Sequence, residues 1–146
     1  MIIDKNFKEF VELLNKNNVK YLIVGGYAVA LHGHPRYTKD LDIWIGVNES
    51  NAEKLISVLK EFGFDALGLK SEDFLTSGNV IQLGQPPNRI DLLTSVDGVD
   101  FDSCYESKVK VNIEGMLANF IDLENLKINK KASGRHQDLA DIENLN

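Results

Sequence analysis

The chain has 146 residues, of which 43% are hydrophobic and 26% charged, the proportions of an ordinary globular domain. The length predicts one domain over residues 1–146 rather than two. Sixteen Lys and Arg against 22 Asp and Glu give a net charge of −6, which excludes general counterion-release binding of nucleic acid but leaves a local basic patch open. The single cysteine, Cys104, excludes an intramolecular disulfide and is typical of a reducing cytoplasm.

We expect a cytoplasmic protein with no membrane segment. The N-terminal residues, Met1 to Lys5, lack the basic start and apolar run of a signal peptide. The longest apolar stretch, Tyr21 to Leu31, has eleven residues and contains two glycines. A membrane-spanning helix needs about 20 apolar residues, so this stretch is too short to cross a bilayer.

The N-terminal quarter predicts a helix, a buried strand and a second short helix. Residues 4–17 form the first helix. Residues 19–24 predict a buried strand, because they are apolar except for Lys20 and three of them are β-branched. Gly25 and Gly26 follow this strand, and residues 27–32 predict the short helix. The apolar stripe of the first helix lies at i, i+3, i+4 and i+7, at Phe7, Phe10, Val11 and Leu14.

The next two elements are a strand over 41–47 and a helix over 49–62. The helix has the clearest apolar face in the chain. Ser50 and Glu53 have the spacing of a capping box at its N-terminus. Gly63 stands where a C-terminal cap belongs.

The following part of the chain predicts further strands. Residues 80–83 and 89–93 have the pattern of an antiparallel pair joined by a turn at 84–88. Before them, 65–78 is irregular, with one helical turn at 71–75. Alternating apolar and polar residues over 109–113 predict one more strand, with one face in solvent.

The C-terminal part predicts two short helices, over 122–131 and 135–145, separated at Ser133-Gly134. Helices and strands are interspersed along the whole chain. The fold class is therefore α+β, or mixed α/β.

Two aspartates, Asp40 and Asp42, carry the strongest chemical signal. Residues i and i+2 of a strand project from one face, so the two carboxylates lie near each other. Such a pair suits Mg²⁺, which binds carboxylates, water and substrate phosphates. The alternative is a pair of charges on a solvated strand face. Trp44 argues against it, because the same face continues with a large apolar ring.

Gly25-Gly26 and Asp91 are weaker signals taken singly. A glycine pair between a strand and a helix allows a phosphate to approach backbone N–H groups, but it is equally typical of a tight turn. Asp91 lies between Ile90 and Leu92, so it points either into a functional cleft or onto a wet sheet face.

Together these residues resemble the nucleotidyltransferase superfamily that includes DNA polymerase beta and the minimal, antitoxin-like nucleotidyltransferases. That pattern is a hydrophobic residue with two small ones, about a dozen residues, a D-x-D between hydrophobic residues, and a third acid on a later strand. Here Val24-Gly25-Gly26 is followed by thirteen residues, Asp40-Leu41-Asp42, and Asp91. The similarity covers about residues 19–94, with the C-terminal strand and helices in 95–146.

The C-terminal part adds a second similarity. Arg36-Tyr37-Thr38 before the D-x-D, and the G-R-x-x-D-L-x-D sequence of 134–141, resemble a bacterial group of nucleotidyltransferase-like proteins of uncharacterised type. The resemblance implies a mixed sheet flanked by helices, with short C-terminal helices.

The resemblance also implies a mechanism. Gly25 and Gly26 would hold the phosphates of an NTP, and Asp40 and Asp42 would bind Mg²⁺. Asp91 would complete a two-ion site and help deprotonate the acceptor hydroxyl. The acceptor, on a protein, a small molecule or RNA, would take the NMP, and pyrophosphate would leave.

Several polar residues near this pattern have two interpretations. Arg36 and Lys39 either offset phosphate charge or pair with the acids themselves. Thr38, included in the candidate nucleotide site, has the character of a residue that hydrogen-bonds its own loop. At the C-terminus, three lysines and Arg135 either bind a polyanion or form a solvated helix end, and Arg135 can pair with a nearby aspartate. The three lysines share one helical face at i, i+3 and i+4: Lys127, Lys130 and Lys131.

Two functional classes remain open from the sequence. The first is a working nucleotidyltransferase, favoured because all three acids and both glycines are present. The second is a non-catalytic, antitoxin-like module that binds a toxin-like protein, favoured by the small size. Because the chain is too short for a separate acceptor domain, an enzyme of this size would need the C-terminal helices, a homodimer mate or another protein to recognise its acceptor. The net charge argues against a third class, a metal-independent RNA-binding protein.

Overall fold

The computed structural model describes residues 3–33, 38–64, 67–85, 87–143 and 145. The chain contributes helices, a 3₁₀ turn at Ser71–Phe74, and the strands of one sheet. In order, the helices and strands are α1 (Lys5–Lys16), β1 (Tyr21–Val24), α2 (Gly25–His32), β2 (Leu41–Ile45), α3 (Glu49–Phe62), β3 (Val80–Leu83), β4 (Ile90–Leu93), α4 (Phe101–Glu106), β5 (Val109–Ile113), β6 (Met116–Phe120), α5 (Leu123–Ser133) and α6 (His136–Glu143).

The six strands form one mixed sheet in the order β3-β4-β2-β1-β6-β5. β1 is antiparallel to β2 and parallel to β6, whereas β2 is parallel to β4. The outer pairs, β3 with β4 and β5 with β6, are antiparallel. The expected fold class, a mixed sheet flanked by helices with short C-terminal helices, is confirmed.

Helix α1 begins and ends as its sequence predicts, within one residue at each end. The side chain of Asp4 accepts hydrogen bonds from the backbone N–H groups of Asn6 and Phe7, which caps the N-terminus. Asn17 follows the last helical turn. The four residues of the predicted apolar stripe are all buried: Phe7, Phe10, Val11 and Leu14.

The predicted capping box of α3 is wrong. Asn48, not Ser50, is the N-cap, and its side chain accepts from the backbone N–H of Asn51. Asn51 in turn accepts from Lys20 N at 2.7 Å and donates to Gly46 O at 2.8 Å, which fixes the helix start against the sheet. Gly63 ends the helix with a φ of 96°, as predicted.

The sequence patterns missed two elements and shifted several boundaries. Helix α4 has only six residues, too few for a periodic pattern. Strand β6 pairs with β5 as a hairpin, whereas one strand was expected here. β1 and β2 are shorter than predicted, and α2 begins at Gly25 rather than Tyr27.

Buried apolar side chains occupy both faces of the central strands. Along β2, Leu41, Ile43 and Ile45 are fully buried on one face. On the other face, Trp44 is 2% exposed and meets the edge of the Phe101 ring, with the centroids 5.1 Å apart. The face that carries Asp42 is therefore covered, as Trp44 indicates in the sequence.

The single cysteine, Cys104, lies in α4 and is 1% exposed. Burial, followed by the charges of Asp122 and Asp100, raises the pKa of its thiol to about 11. The thiol is therefore protonated at neutral pH.

Within the described part of the chain, every helix is too short or too polar to span a membrane.

Candidate active site

The sheet register brings Asp42 and Asp91 side by side. β2 and β4 are parallel neighbours, and Asp42 is paired with Asp91 across them. Paired residues project from the same face of a sheet, so the two carboxyl groups face the same volume. On the other side of β2, Asp42 is paired with Val24, the last residue of β1. The end of β1 and the following glycine therefore lie beside the acids.

Gly25 is held against the carboxyl group of Asp42. Its φ is 66°, a left-handed conformation that favours glycine. A Cβ atom at this position would overlap Asp42 Oδ2. Glycine is therefore required here both by the backbone conformation and by the close approach of the acid.

Arg89 links the other two acids. Its Nη2 donates to Asp40 Oδ2 at 2.8 Å and to Asp91 Oδ2 at 3.1 Å. Its Nε lies 2.9 Å from Asp91 Oδ1. The register explains this, because Leu41 is paired with Ile90 and the preceding residues, Asp40 and Arg89, are therefore also neighbours. Sequence analysis did not single out Arg89.

Asp42 carries a carboxyl group whose pKa is strongly raised. Burial, the charges of Asp91 and Asp40, and a hydrogen bond with Asp91 raise its pKa from 3.8 to about 7, and Lys130 opposes the shift. Arg89 forms ion pairs with Asp40 and Asp91, whereas Asp42 forms no ion pair with any described residue. The site therefore holds more negative charge than its own cations neutralise.

A cleft of about 460 Å³ adjoins these residues, and Asp42 is the one of the three acids that lines it. One side is formed by Gly25 and Asp42, and the other by Lys130 and Arg135 from the C-terminal helices. Apolar side chains, including Val80, line part of its floor. The cleft thus combines carboxylates, cations and apolar surface. A larger cleft of about 860 Å³, along α1 and the end of α3, includes none of the three acids.

The C-terminal lysines do not form a uniformly solvated face, which corrects that expectation. Lys130 is 5% exposed, and its Nζ lies 2.9 Å from Asp138 Oδ1 and 3.4 Å from Asp141 Oδ2. Lys131 is exposed and Lys127 is half-buried. The two aspartates of the C-terminal motif therefore position the one lysine that faces the cleft.

The predicted Arg135–Asp138 ion pair is confirmed. Arg135 Nε lies 2.6 Å from Asp138 Oδ2, and Ser133 Oγ donates to the same oxygen at 2.7 Å. Burial by itself would raise the pKa of Asp138, but hydrogen bonds from Arg135, Lys130 and Ser133 outweigh it and hold the pKa well below its usual range.

Three of the remaining predicted site residues are sequence neighbours of Gly25 or Asp40. Gly26 lies in the first turn of α2, directly after Gly25. Thr38 and Lys39 lead into Asp40; Thr38 is half-buried and Lys39 exposed. Arg36 lies outside the described residues, so its predicted role at the nucleotide site stays a prediction.

The carboxylates suit Mg²⁺ in their chemistry, but they are not a preformed three-ligand site. Oxygen donors are the ligands that Mg²⁺ prefers, and Asp40 Oδ1 is buried without a hydrogen-bond partner among the described residues. Within the same residues, no group of three or more His, Cys, Asp or Glu side chains is arranged around a common point. Arg89 explains the difference, because its guanidinium lies against two of the acids. A cation bound by Asp40 and Asp91 would have to displace this guanidinium.

Two residues near the acids were not predicted there from the sequence. Arg89 was not considered, and Lys130 was considered only as one of three lysines on a C-terminal helix. For Arg89, the i, i+2 spacing to Asp91 was an available signal. Lys130 offered none, because its position depends on how α6 folds back at Gly134, where φ is 66°.

The fold is that of solved proteins described as nucleotidyltransferases. The lincosamide antibiotic adenylyltransferase LnuA, solved with lincomycin bound, shares the fold with a TM-score of 0.57 and 14% identity, over 98% of this chain and 96% of that one. A Thermotoga maritima protein, to which nucleotidyltransferase activity has been ascribed, gives a TM-score of 0.58 and 19% identity over 94% and 84% of the two chains.

The chain belongs to the family described as "Nucleotidyltransferase of unknown function (DUF6036)", whose model matches residues 2–146. A search of curated proteins finds no match. The family assignment confirms the resemblance drawn from the glycine pair and the acids, and it makes the chain a nucleotidyltransferase-type enzyme.

Proposed function

We propose that the chain is a Mg²⁺-dependent nucleotidyltransferase that moves an NMP from an NTP to a hydroxyl acceptor. The observation that carries this proposal is the register of β2 and β4, which sets Asp42 beside Asp91 with Gly25 against the Asp42 carboxyl group. Three neighbouring acids and a glycine turn can supply the positioning and the charge neutralisation on which phosphoryl transfer depends.

The phosphates of the NTP would bind at the start of α2. Gly25 and Gly26 form the first turn of this helix, whose N–H groups have no partner within the helix and carry a partial positive charge. Lys130 and Arg135 across the cleft add cationic side chains. Thr38, Lys39 and Arg36 are proposed to contact the nucleotide from the loop before Asp40.

Asp40, Asp42 and Asp91 would hold Mg²⁺, which supplies charge neutralisation to the triphosphate. The surplus negative charge at Asp42 supports this role, since a divalent cation relieves the repulsion that raises its pKa. Arg89 would exchange its contacts with Asp40 and Asp91 for contacts with solvent or substrate. It thus keeps the acids in place before nucleotide binds.

The transfer itself is an in-line displacement. The acceptor oxygen bonds to the α-phosphorus, the bond from that phosphorus to the bridging oxygen breaks, and pyrophosphate leaves. Asp91 is proposed to take the acceptor proton, because it lies beside Asp42 and is only 7% exposed. Positioning and electrostatic stabilisation supply most of the rate enhancement.

The small size of the chain does not weigh against catalysis. LnuA is an adenylyltransferase by description, and the structural match covers 96% of its chain. A domain of this length is therefore compatible with nucleotidyl transfer. The acceptor carries a hydroxyl group and belongs to a protein, a small molecule or RNA.

Calorimetric titration of the four NTPs, with and without Mg²⁺, tests the proposal. We expect binding of at least one NTP that requires Mg²⁺ and is lost in the Asp40→Asn/Asp42→Asn variant. The matched control is Asp102→Asn, which changes one charge on an exposed residue of α4 and should leave binding intact.

Each other result has a definite meaning. Mg²⁺-dependent binding that survives in the double variant refutes the assigned ligands. Absence of NTP binding in the unmodified chain favours the antitoxin-like binding module over the enzyme.

A further inference from the structure

A third cleft lies at the far end of β1 from the acids. It is about 560 Å³ in volume, a size typical of small-ligand sites, which range over roughly 300–1,000 Å³. Lys20 lines it immediately before β1, whereas Gly25 follows the other end of that strand. At about 3.3 Å per residue, the two positions are about 16 Å apart. The two clefts are therefore separate.

Four lysines line this cleft, which we name the lysine groove: Lys20, Lys54, Lys108 and Lys110. Among its described lining residues there is no carboxylate, although the whole chain has a net charge of −6. Across the described part of the chain, none of the four lysines forms an ion pair. Lys108 Nζ donates a hydrogen bond to the backbone oxygen of Tyr105 at 3.3 Å, but this neutral acceptor does not cancel its charge, so the groove keeps its positive charge for an external anion.

The surroundings of the Tyr105 ring indicate which part of a ligand this groove can bind. Lys108 Nζ lies 4.0 Å and Lys20 Nζ 5.6 Å from the centroid of its ring. The Phe101 ring stacks on Tyr105 with the centroids 5.6 Å apart. Two ammonium groups and a second aromatic ring thus occupy the surroundings of the ring. A nucleobase therefore has no unoccupied ring face of Tyr105 on which to stack, but one chain of phosphates can contact both ammonium groups.

We propose that the lysine groove binds an oligophosphate chain through its charge, independently of the acid site and of the nucleotidyltransferase reaction. Ammonium groups bind phosphate as compact point charges. The same chemistry is offered by a free oligophosphate and by the backbone of a single-stranded nucleic acid. Recognition is independent of base identity.

The test uses two probes, tripolyphosphate and a short oligouridylate, each titrated in EDTA so that Mg²⁺-dependent binding at the acids is absent. Four lysines predict a slope of log K against log salt of about −2.8 for the oligonucleotide, or about a 50-fold loss of affinity between 50 and 200 mM salt. Lys20→Gln/Lys108→Gln should bring the slope to about −1.4 and weaken binding at least about 10-fold. Lys20→Arg/Lys108→Arg should retain binding.

The matched control is Lys5→Gln/Lys60→Gln, which removes the same charge from exposed lysines outside the groove. We expect this variant, and Asp40→Asn/Asp42→Asn, to bind both probes as the unmodified chain does. Circular dichroism checks that each variant is folded. Tighter binding of the oligouridylate identifies nucleic acid as the favoured source of phosphate, and tighter binding of tripolyphosphate identifies the free anion.

Three outcomes overturn the proposal. One is the absence of saturable binding of either probe. The second is an equal loss of probe affinity in the control and groove variants, which indicates that the probes bind to any positively charged surface. The third is a loss of binding in the Asp40→Asn/Asp42→Asn variant, which places the phosphates at the acid site instead.

Discussion

Replacing Lys130 with Met should destabilise the chain more than any other single lysine replacement outside the lysine groove. Met keeps the length and the apolar stem of the side chain but removes the ammonium group that contacts Asp138 and Asp141. All three residues are at least 95% buried. Removing one partner of a buried ion pair costs about 3–5 kcal/mol, because the remaining charge loses its compensation.

The structure places the effect toward the lower end of that range. Arg135 and Ser133 still contact Asp138 in the variant, so its charge keeps part of its compensation. We therefore expect a loss of about 3 kcal/mol, or a fall in Tm of roughly 10 °C for a domain of this size. Urea unfolding followed by circular dichroism measures the first quantity, and a thermal scan measures the second. Lys131→Met, at an exposed neighbouring position, should change either by little.

The same variant has a defined pH dependence. Because the folded-state pKa of Asp138 lies below its unfolded value of about 3.9, its contribution to stability is present above pH 4 and is lost as the pH falls further. The difference between Lys130→Met and the unmodified chain should therefore narrow below pH 4. Equal stability of the two proteins at pH 7 would refute the interpretation of Lys130 as a buried, charge-compensated residue.

Two further perturbations test the acid site through stability alone. In metal-free protein, Asp42→Asn should raise the free energy of unfolding by roughly 2–4 kcal/mol at pH 8. The reason is that a folded-state pKa of about 7, above the unfolded value, makes ionisation oppose folding as the pH rises. The gain should vanish below pH 4; thermal scans in EDTA with Asp102→Asn as control measure it, and equal Tm values at pH 8 would contradict it. Gly25→Ala should cost more than Gly63→Ala in urea unfolding. Both glycines have positive φ, worth about 1–2 kcal/mol, but only a Cβ at Gly25 meets the Asp42 carboxyl group, and equal losses would argue against that contact.

The central part of the fold could be predicted because local patterns and burial agree there. β1 is apolar at every position and fully buried, and the regular apolar face of α3 matches the side it buries. Strand β6 was missed because Leu117, an exposed apolar residue between buried ones, breaks the alternation that marks a half-buried strand.

The acids could be predicted as a set, but their environment could not. The i, i+2 spacing places Asp40 and Asp42 on one face from sequence alone. The strand order places β4 next to β2, and the register of these two strands brings Arg89 to Asp40 and Asp91 to Asp42. Ion pairs between distant parts of a chain have no local signal. The ion pairs of Lys130 with Asp138 and Asp141 have no local signal either, because they depend on how α5 and α6 pack.

The buried thiol of Cys104 allows local opening of the structure around α4 to be measured by thiol labelling. A reagent that reacts with thiolate meets no accessible group in the folded chain, because the side chain is 1% exposed and its pKa is raised to about 11. Since the chain has no other cysteine, every labelling event reports exposure of α4. The labelling rate, measured with and without an NTP, then shows whether a ligand at the acids slows that exposure.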